Sequence, residues 1–247
     1  MTQFNSHFTS NLSVNEFLLI QEAGFLPAGM VAGTSIYHIG VQQSQWQTNE
    51  EMIVLSNALY HARDLAMKRM VKEAEELDAD GIIGVRLTVK HLDWNSDLAE
   101  FVAIGTAIRD AEVDWTVDGK PFTSDLSGQE FWSLMHSGYR PLGLVMGNCV
   151  YHVAHQTAAK WFQSRGKNVE MENFTEAFYE AREMAMERMQ SDAEKLGASG
   201  IVGADIHEGN YAWDKHMIEF FAIGTAIAPL QDKHYLPNPQ LILSMDE

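Results

Sequence analysis

The sequence predicts an α+β protein of two tandem repeats, each a small, mostly antiparallel sheet packed on one long helix plus a short capped N-terminal helix. The first observation is a duplication, since EFVAIGTAI at Glu100–Ile108 returns as EFFAIGTAI at Glu219–Ile227. The second is a constant spacing, because Tyr37-His38 recurs 114 residues later as Tyr151-His152. Self-similarity at a fixed offset is typical of a repeated structural unit.

The offset between the copies rises to 119 residues further along, from Gly81 to Gly200. The second copy therefore carries five additional residues, which we assign to a loop because loops tolerate insertions at little entropic cost. We place repeat 1 at residues 7–110, a linker at 111–120, repeat 2 at 121–229 and an irregular tail at 230–247.

Each repeat begins with a predicted short helix. Ser13 and Ser127 are each followed three residues later by a glutamate, which is the pattern of a capping box. Gly24 and Gly138 end the two helices. The predicted bounds are 14–22 and 128–136 for these helices, and 30–33 and 144–147 for the short apolar strands that follow.

A long amphipathic helix is predicted next in each repeat, over 49–77 and 168–196, because apolar residues recur there every three or four positions. The apolar positions in the first copy are Leu55, Leu59, Ala62, Ala66, Met70, Ala74 and Leu77. The same positions in the second copy are Phe174, Phe178, Ala181, Ala185, Met189, Ala193 and Leu196. The small residues in the middle predict that another element approaches the helix closely.

Two apolar strands close each repeat. They are predicted at 81–87 and 100–108 in repeat 1, and at 200–206 and 219–227 in repeat 2. About ten residues separate the strands of each pair and hold Trp94 or Trp213, which we expect to pack on a neighbouring helix or repeat. Arg63 and Arg182 lie in the middle of the long helices, and we expect them to form ion pairs with Glu100 or Glu219.

Composition excludes several classes of function. The net charge of −17 repels phosphate backbones and anionic lipid heads, so we expect neither nucleic acid nor a membrane as a partner. Neither a secretory signal nor an apolar stretch of ~20 residues is present, and the cytoplasm is therefore the expected compartment. Because no P-loop, dinucleotide fingerprint, nucleophile elbow or zinc-protease signature occurs, we expect no enzymatic activity.

One cluster has the composition of a metal site. Cys149, His152 and His155 follow one another at three-residue intervals, and His38 is the counterpart of His152 in repeat 1. Thiolate and imidazole suit zinc, copper or nickel. On a helix all three could reach one ion, whereas on a strand Cys149 and His155 would share a face and His152 would point away. The structural alternatives are a buried cysteine acting as a small hydrophobe and histidines hydrogen-bonded at an interface.

The closing half of each repeat resembles the YbjQ family, whose members are described as carrying a "putative heavy-metal-binding domain". The resemblance rests on a long helix ending in A-x-x-L-x-A-x-G, then an I-I-G-V-like strand, then a strand ending in G-T-A-I. The matching residues are Ala74, Leu77, Ala79, Gly81 to Val85 and Gly105 to Ile108 in repeat 1, and Ala193, Leu196, Ala198, Gly200 to Ala204 and Gly224 to Ile227 in repeat 2.

The resemblance implies a ring-forming homo-oligomer, usually of five domains, with metal binding but no firm ligand motif and no enzymatic activity. Five repeats cannot be divided among whole two-repeat chains, and heterologous interfaces are expected to close. We therefore expect either two stacked five-repeat rings made from five chains, or one ring with an even number of repeats, such as three chains.

Two functional hypotheses follow. The first is a cytoplasmic oligomeric protein that binds zinc, copper or nickel through Cys149, His152, His155 and His38. The alternative is a ring-forming scaffold without metal, which presents its surface to a small ligand or to an unidentified protein partner. An enzyme is a third reading, for which the sequence offers no acid–base pair in both copies.

Overall fold

A computed structural model describes residues 8–38, 48–92, 95–154, 170–210 and 217–230, and the side chains of 91–97 and 210 are not among them. The predictions for Trp94, His155, Trp213 and nearly all of the tail lie outside the described side chains. The elements of repeat 1 are α1 (Val14–Glu22), β1 (Phe25–His38), β2 (Glu50–Glu51), α2 (Ile53–Glu76), β3 (Gly81–Leu92) and β4 (Asn95–Asp110). Those of repeat 2 are β5 (Phe122–Thr123), α3 (Gly128–His136), β6 (Tyr139–His152), α4 (Glu172–Lys195), β7 (Gly200–Asn210) and β8 (Met217–Pro229).

The two short helices confirm the capping-box prediction. Ser13 accepts a hydrogen bond from the backbone of Glu16 at the start of α1, while the Glu16 carboxylate accepts one from the backbone of Ser13. Ser127 and Glu130 repeat both bonds at the start of α3. These bonds satisfy backbone donors that the first turn of a helix leaves unpaired, so local sequence alone defines where the helices begin.

Each repeat builds a four-stranded sheet that borrows one short strand from the other repeat. Sheet A has the order β1-β4-β3-β5, and sheet B has the order β2-β6-β8-β7. Strand β5 belongs to the start of repeat 2 but pairs parallel with β3, while β2 belongs to repeat 1 but pairs antiparallel with β6. The remaining pairings are antiparallel, which confirms the predicted fold class.

The sequence prediction was wrong about the starts of both long helices and about the first long strand. Glu50 and Glu51 form β2, so α2 begins at Ile53 rather than at residue 49, and α4 begins at Glu172 rather than at residue 168. Strand β1 covers fourteen residues rather than four, and so does its counterpart β6. The physical reason is tertiary pairing, since β1 is hydrogen-bonded along its length to β4.

The long helices and the sheets alternate as sheet A, α2, sheet B and α4. Gly33 of β1 lies so close to α2 that an added Cβ would be 2.0 Å from the Ala66 carbonyl oxygen. Gly147 of β6 lies equally close to α4, with 2.2 Å to the Ala185 carbonyl oxygen. The predicted close approach at the small residues of the stripes is therefore confirmed. No helix in the described part of the chain carries a stretch long and apolar enough to cross a bilayer.

Candidate functional site: the interface between the repeats

The predicted metal ligands lie on a strand rather than on a helix. Cys149 is buried in β6, and its Sγ is 3.7 Å from the Sδ of Met184 on α4. His152 lies three residues further along the same strand, where alternation places it on the opposite face. Its Nδ1 is 3.2 Å from the carbonyl oxygen of Thr48 in repeat 1. The two side chains therefore point into different layers of the molecule.

These positions do not fit one shared ion. Burial raises the pKa of the Cys149 thiol to about 12, whereas the thiolate is the form that binds metal. His38 is exposed at the end of β1, which belongs to the other sheet. Within the described ranges, no group of three His, Cys, Asp or Glu side chains has the arrangement of a metal site. Because His155 lies outside those ranges, metal binding by the four residues stays a prediction.

Alkaline stability should depend on Cys149. Burial raises the pKa of this thiol in the folded chain, so its contribution is complete below the unfolded pKa and is lost as the pH rises toward the folded pKa. We expect the free energy of unfolding, from urea titrations, to fall above about pH 9. It should fall less steeply in Cys149→Ala, which lacks the thiol. Equal slopes in the two proteins would contradict the assigned burial.

A buried ion pair joins the two repeats instead. Arg63 of α2 donates a hydrogen bond from Nη1 to the Glu219 carboxylate of β8 at 2.7 Å, and the side chains are only 4% and 8% exposed. The guanidinium also lies 4.1 Å from the ring centre of Phe221 and 5.6 Å from that of Phe101. Charge attraction, the hydrogen bond and the cation–π contact offset part of the cost of removing both ions from water, while the buried Nε of Arg63 has no hydrogen-bond partner among the described residues.

A second ion pair runs between the repeats at the other end of the contact. Arg188 of α4 donates to both carboxylate oxygens of Glu51 at 2.6 and 2.9 Å, and to the carbonyl of Asn148. Burial alone would raise the pKa of Glu51, but the bonds from Arg188 and Ser56 outweigh it and hold the pKa below its usual value. This forked geometry is the specific arrangement that arginine offers to a carboxylate.

Further hydrogen bonds continue the interface. The Tyr60 hydroxyl donates to Asp192 at 2.5 Å, and burial followed by this carboxylate raises the tyrosine pKa. The backbone NH of Val150 donates to the Ser56 hydroxyl at 2.9 Å. The NH of Met52 donates to the carbonyl of Val150 at 2.8 Å. Helix α2 thus presents one side to its own sheet and another to the sheet of repeat 2.

An aromatic pair completes the contact at the opposite edge. Phe122 and Phe131 of repeat 2 stack with ring centres 6.0 Å apart, and both are buried. The Phe122 ring covers Gly81 of repeat 1, where an added Cβ would be 2.1 Å from it. Ile83 packs in the same cluster. We call this arrangement the aromatic plug, with Phe122 and Phe131 as the plug and Gly81 as its socket.

The sequence analysis found part of this site. The expected pairing of Arg63 with Glu219 is confirmed, although the two residues come from different repeats. For Arg182 the structure differs from the expected ion pair, since its guanidinium is exposed and lies 4.7 Å from the ring centre of Tyr179. The Tyr60, Glu51 and Phe122 contacts were missed. Comparing the copies residue by residue would have marked them, because each has a chemically similar counterpart.

The geometry defines a tandem-repeat α+β protein whose repeats associate head to tail, helix onto sheet. The chain belongs to the YbjQ family, described as "Putative heavy-metal-binding", whose sequence profile matches residues 24–111 and again 137–229. The double match confirms the tandem duplication.

Individual relatives are of two lengths. A Mycobacterium tuberculosis protein named "Encapsulin nanocompartment protein" is 44% identical over 242 residues, which cover 97% of this chain and 92% of the relative. A "UPF0145 protein" of Pseudothermotoga lettingae is 40% identical over 88 residues, 35% of this chain and 79% of the relative. One from Thermotoga maritima is 37% identical over 95 residues, 36% of this chain and 86% of the relative. The shorter relatives therefore correspond in size to one repeat.

Proposed function

We propose that this protein is a non-enzymatic scaffold that self-assembles through further copies of its helix-on-sheet interface. One observation carries the proposal: each chain holds the two halves of that interface twice, but its described residues bring one pair of halves together and leave the other pair apart. Helix α2 covers the outer face of sheet B. The outer face of sheet A and the outer side of α4 have the same design, and nothing in the described chain covers them to the same extent.

The exposed fractions of corresponding residues show how much less the outer face of sheet A and the outer side of α4 are covered. Val150 of sheet B is fully buried, whereas Ile36, its counterpart in sheet A, is 58% exposed. Arg63 of α2 is buried, whereas Arg182 of α4 is exposed. Tyr179, the counterpart of Tyr60, is 53% exposed. Exposed apolar surface of this kind marks a site of association.

The relatives support assembly rather than catalysis. The Mycobacterium tuberculosis relative is named for an encapsulin nanocompartment, and it aligns with nearly the whole of this chain. None of the three relatives cited carries the name of an enzyme. We extend self-assembly to this chain, and we retain the cytoplasm as its proposed compartment on the sequence grounds given above.

The interface also constrains the form of the assembly. A helix face that binds a sheet face is a heterologous contact, which produces a closed ring or an open filament. Because this contact already joins the two repeats of one chain, both repeats lie in the same ring. We therefore propose closure with an even number of repeats, such as three chains forming one six-repeat ring, rather than two stacked five-repeat rings. A small ligand or another protein bound to this assembly is a further possibility within the scaffold function.

Native mass spectrometry tests the proposal. We expect the untagged protein to give a closed oligomer, such as three chains, at micromolar concentration. A monomer at that concentration would contradict self-assembly. The same spectrum tests the metal hypothesis drawn from the family description, because a retained zinc, copper or nickel ion would add its mass to each subunit. Substituting His155 and Cys149 would then identify the ligands.

A further inference from the structure

We propose that two copies of this chain dock in the same register as the two repeats within one chain, with α4 of one copy on the outer face of sheet A of the next. This inference rests on the proposed scaffold function and names its contact. A second copy of the chain therefore covers each of the two open faces, which are the outer face of sheet A and the outer side of α4. Both faces continue the interface already formed inside the chain, and their residues correspond to it position by position.

The ion pair at the centre of the interface has a counterpart in which both residues are present but lie far apart in one chain. Arg182 corresponds to Arg63, and Glu100 corresponds to Glu219. In one chain they lie on α4 and β4, at opposite ends of the stack of layers. Docking in the same register would bring Arg182 of one copy to Glu100 of the next copy, in the position of the Arg63–Glu219 pair.

The flanking contacts also keep their chemistry. Glu170 and Arg69 correspond to Glu51 and Arg188. Arg69 already donates to the carbonyl of Thr34, as Arg188 does to that of Asn148, so the guanidinium is held in place for a carboxylate. Likewise Tyr179 and Glu73 correspond to Tyr60 and Asp192, and Thr175 keeps the hydroxyl of Ser56. Each donor on one open face therefore meets an acceptor on the other.

A second aromatic pair and a second glycine correspond to the plug and its socket, and they lie in different repeats. Phe8 and Phe17 stack with ring centres 5.7 Å apart and an interplanar angle of 14°, close to the 6.0 Å and 10° of the buried pair. Phe8 is 42% exposed, whereas Phe122 is 2% exposed. The matching socket is Gly200, where an added Cβ would have nothing within 4 Å. The Phe8 ring of the next copy fits against Gly200 of the first.

Charge reversal tests the register. Arg182→Glu and Glu100→Arg should each weaken assembly by at least about tenfold in the apparent dissociation constant, because like charges would face each other at the centre of the contact. The double variant should recover most of the wild-type affinity, because it restores an opposite pair. Lys120→Glu is the matched control, since it makes the same charge change at an exposed linker position. Sedimentation velocity over a concentration series gives the constants.

Filling the socket is an independent test. Gly200→Val should leave the isolated chain folded, as judged by circular dichroism, because the side chain enters open space. It should nevertheless raise the apparent dissociation constant of assembly at least about tenfold, because the added methyl groups would occupy the position of the Phe8 ring of the next copy. Phe8→Ala should weaken assembly in the same direction, while Val113→Ala, at an exposed linker position, should not.

The possible outcomes separate this inference from the function on which it rests. A monomeric wild-type protein would overturn both, and would indicate that one chain covers its own open faces. A wild-type oligomer that Arg182→Glu, Glu100→Arg and Gly200→Val all leave intact would overturn the register and leave the scaffold function standing. Weakening by each single variant with recovery in the double variant would support the proposed contact.

Discussion

Arg63→Met is expected to lower the free energy of unfolding by about 3–5 kcal/mol. The substitution removes the guanidinium that neutralises Glu219, leaving a carboxylate in a site where its side chain is only 8% exposed. It also removes the cation–π contact with Phe221. Urea unfolding of the full chain measures this change in the free energy of unfolding. Circular dichroism follows the unfolding at a dilution at which the oligomer has dissociated.

The matched control is Arg182→Met, which changes the corresponding residue on α4. Because Arg182 is exposed, the same substitution should alter the unfolding free energy of the dissociated chain by less than about 0.5 kcal/mol. Adding Glu219→Leu to Arg63→Met should recover much of the lost stability, since replacing both members of a buried pair by apolar residues is often neutral. Equal effects of Arg63→Met and Arg182→Met would contradict the asymmetry between the repeats.

Gly147→Ala is expected to destabilise the chain by about 3 kcal/mol, at the upper end of the range for an overpacked core. The new Cβ would be 2.2 Å from the Ala185 carbonyl oxygen and 2.6 Å from the Met189 nitrogen. Both are backbone atoms of α4, so relief requires the helix to move away from sheet B. Gly33→Ala should behave in the same way, with 2.0 Å to the Ala66 carbonyl oxygen.

Gly200→Ala provides the comparison, because its Cβ would enter open space in a single chain. Its effect on the unfolding free energy of the dissociated chain should stay within about 0.5 kcal/mol. Thermal or urea unfolding of the three variants ranks them directly. A Gly147→Ala variant as stable as Gly200→Ala would show that the helix does not lie as close to the strand as the structure places it.

Local sequence was sufficient for elements whose boundaries depend on local bonds. The helices that begin after Ser13 and Ser127 were predicted to the residue, because the capping box is formed within four residues. The closing strands could be predicted from their apolar runs. Such runs are typical of strands that are covered on both faces or have a neighbouring strand on each side. The repeated register shifts, with Gly84 and Gly203 both in the left-handed region, follow the same duplicated sequence.

Elements that depend on distant partners were not predictable in this way. The short strand at Glu50 and Glu51 forms because its backbone meets β6 of the other repeat, and its acidic sequence favours no strand on its own. Strand β1 contains Pro27 and two glycines, which obscured its length until the pairing with β4 was seen. Tertiary context overrides local propensity in both places.

The same limit applies to the candidate site. Arg63 and Arg182 are equivalent in the sequence, yet one is buried in an ion pair and the other is exposed. The difference comes from position in the array, since repeat 1 has a neighbour on its helix side and repeat 2 has none among the described residues. The spacing of Cys149 and His152 likewise could not reveal their geometry until β6 was known to be a strand.

An electron cryo-microscopy structure of the assembled protein would show the contact between copies itself. The decisive quantity is the distance between the Arg182 guanidinium of one copy and the Glu100 carboxylate of the next. We predict a hydrogen-bonded pair like that of Arg63 with Glu219, at 2.7 Å, with Phe8 of the next copy seated over Gly200. An assembly in which these residues face solvent, or in which two sheet A faces pack on each other about a twofold axis, would contradict the account.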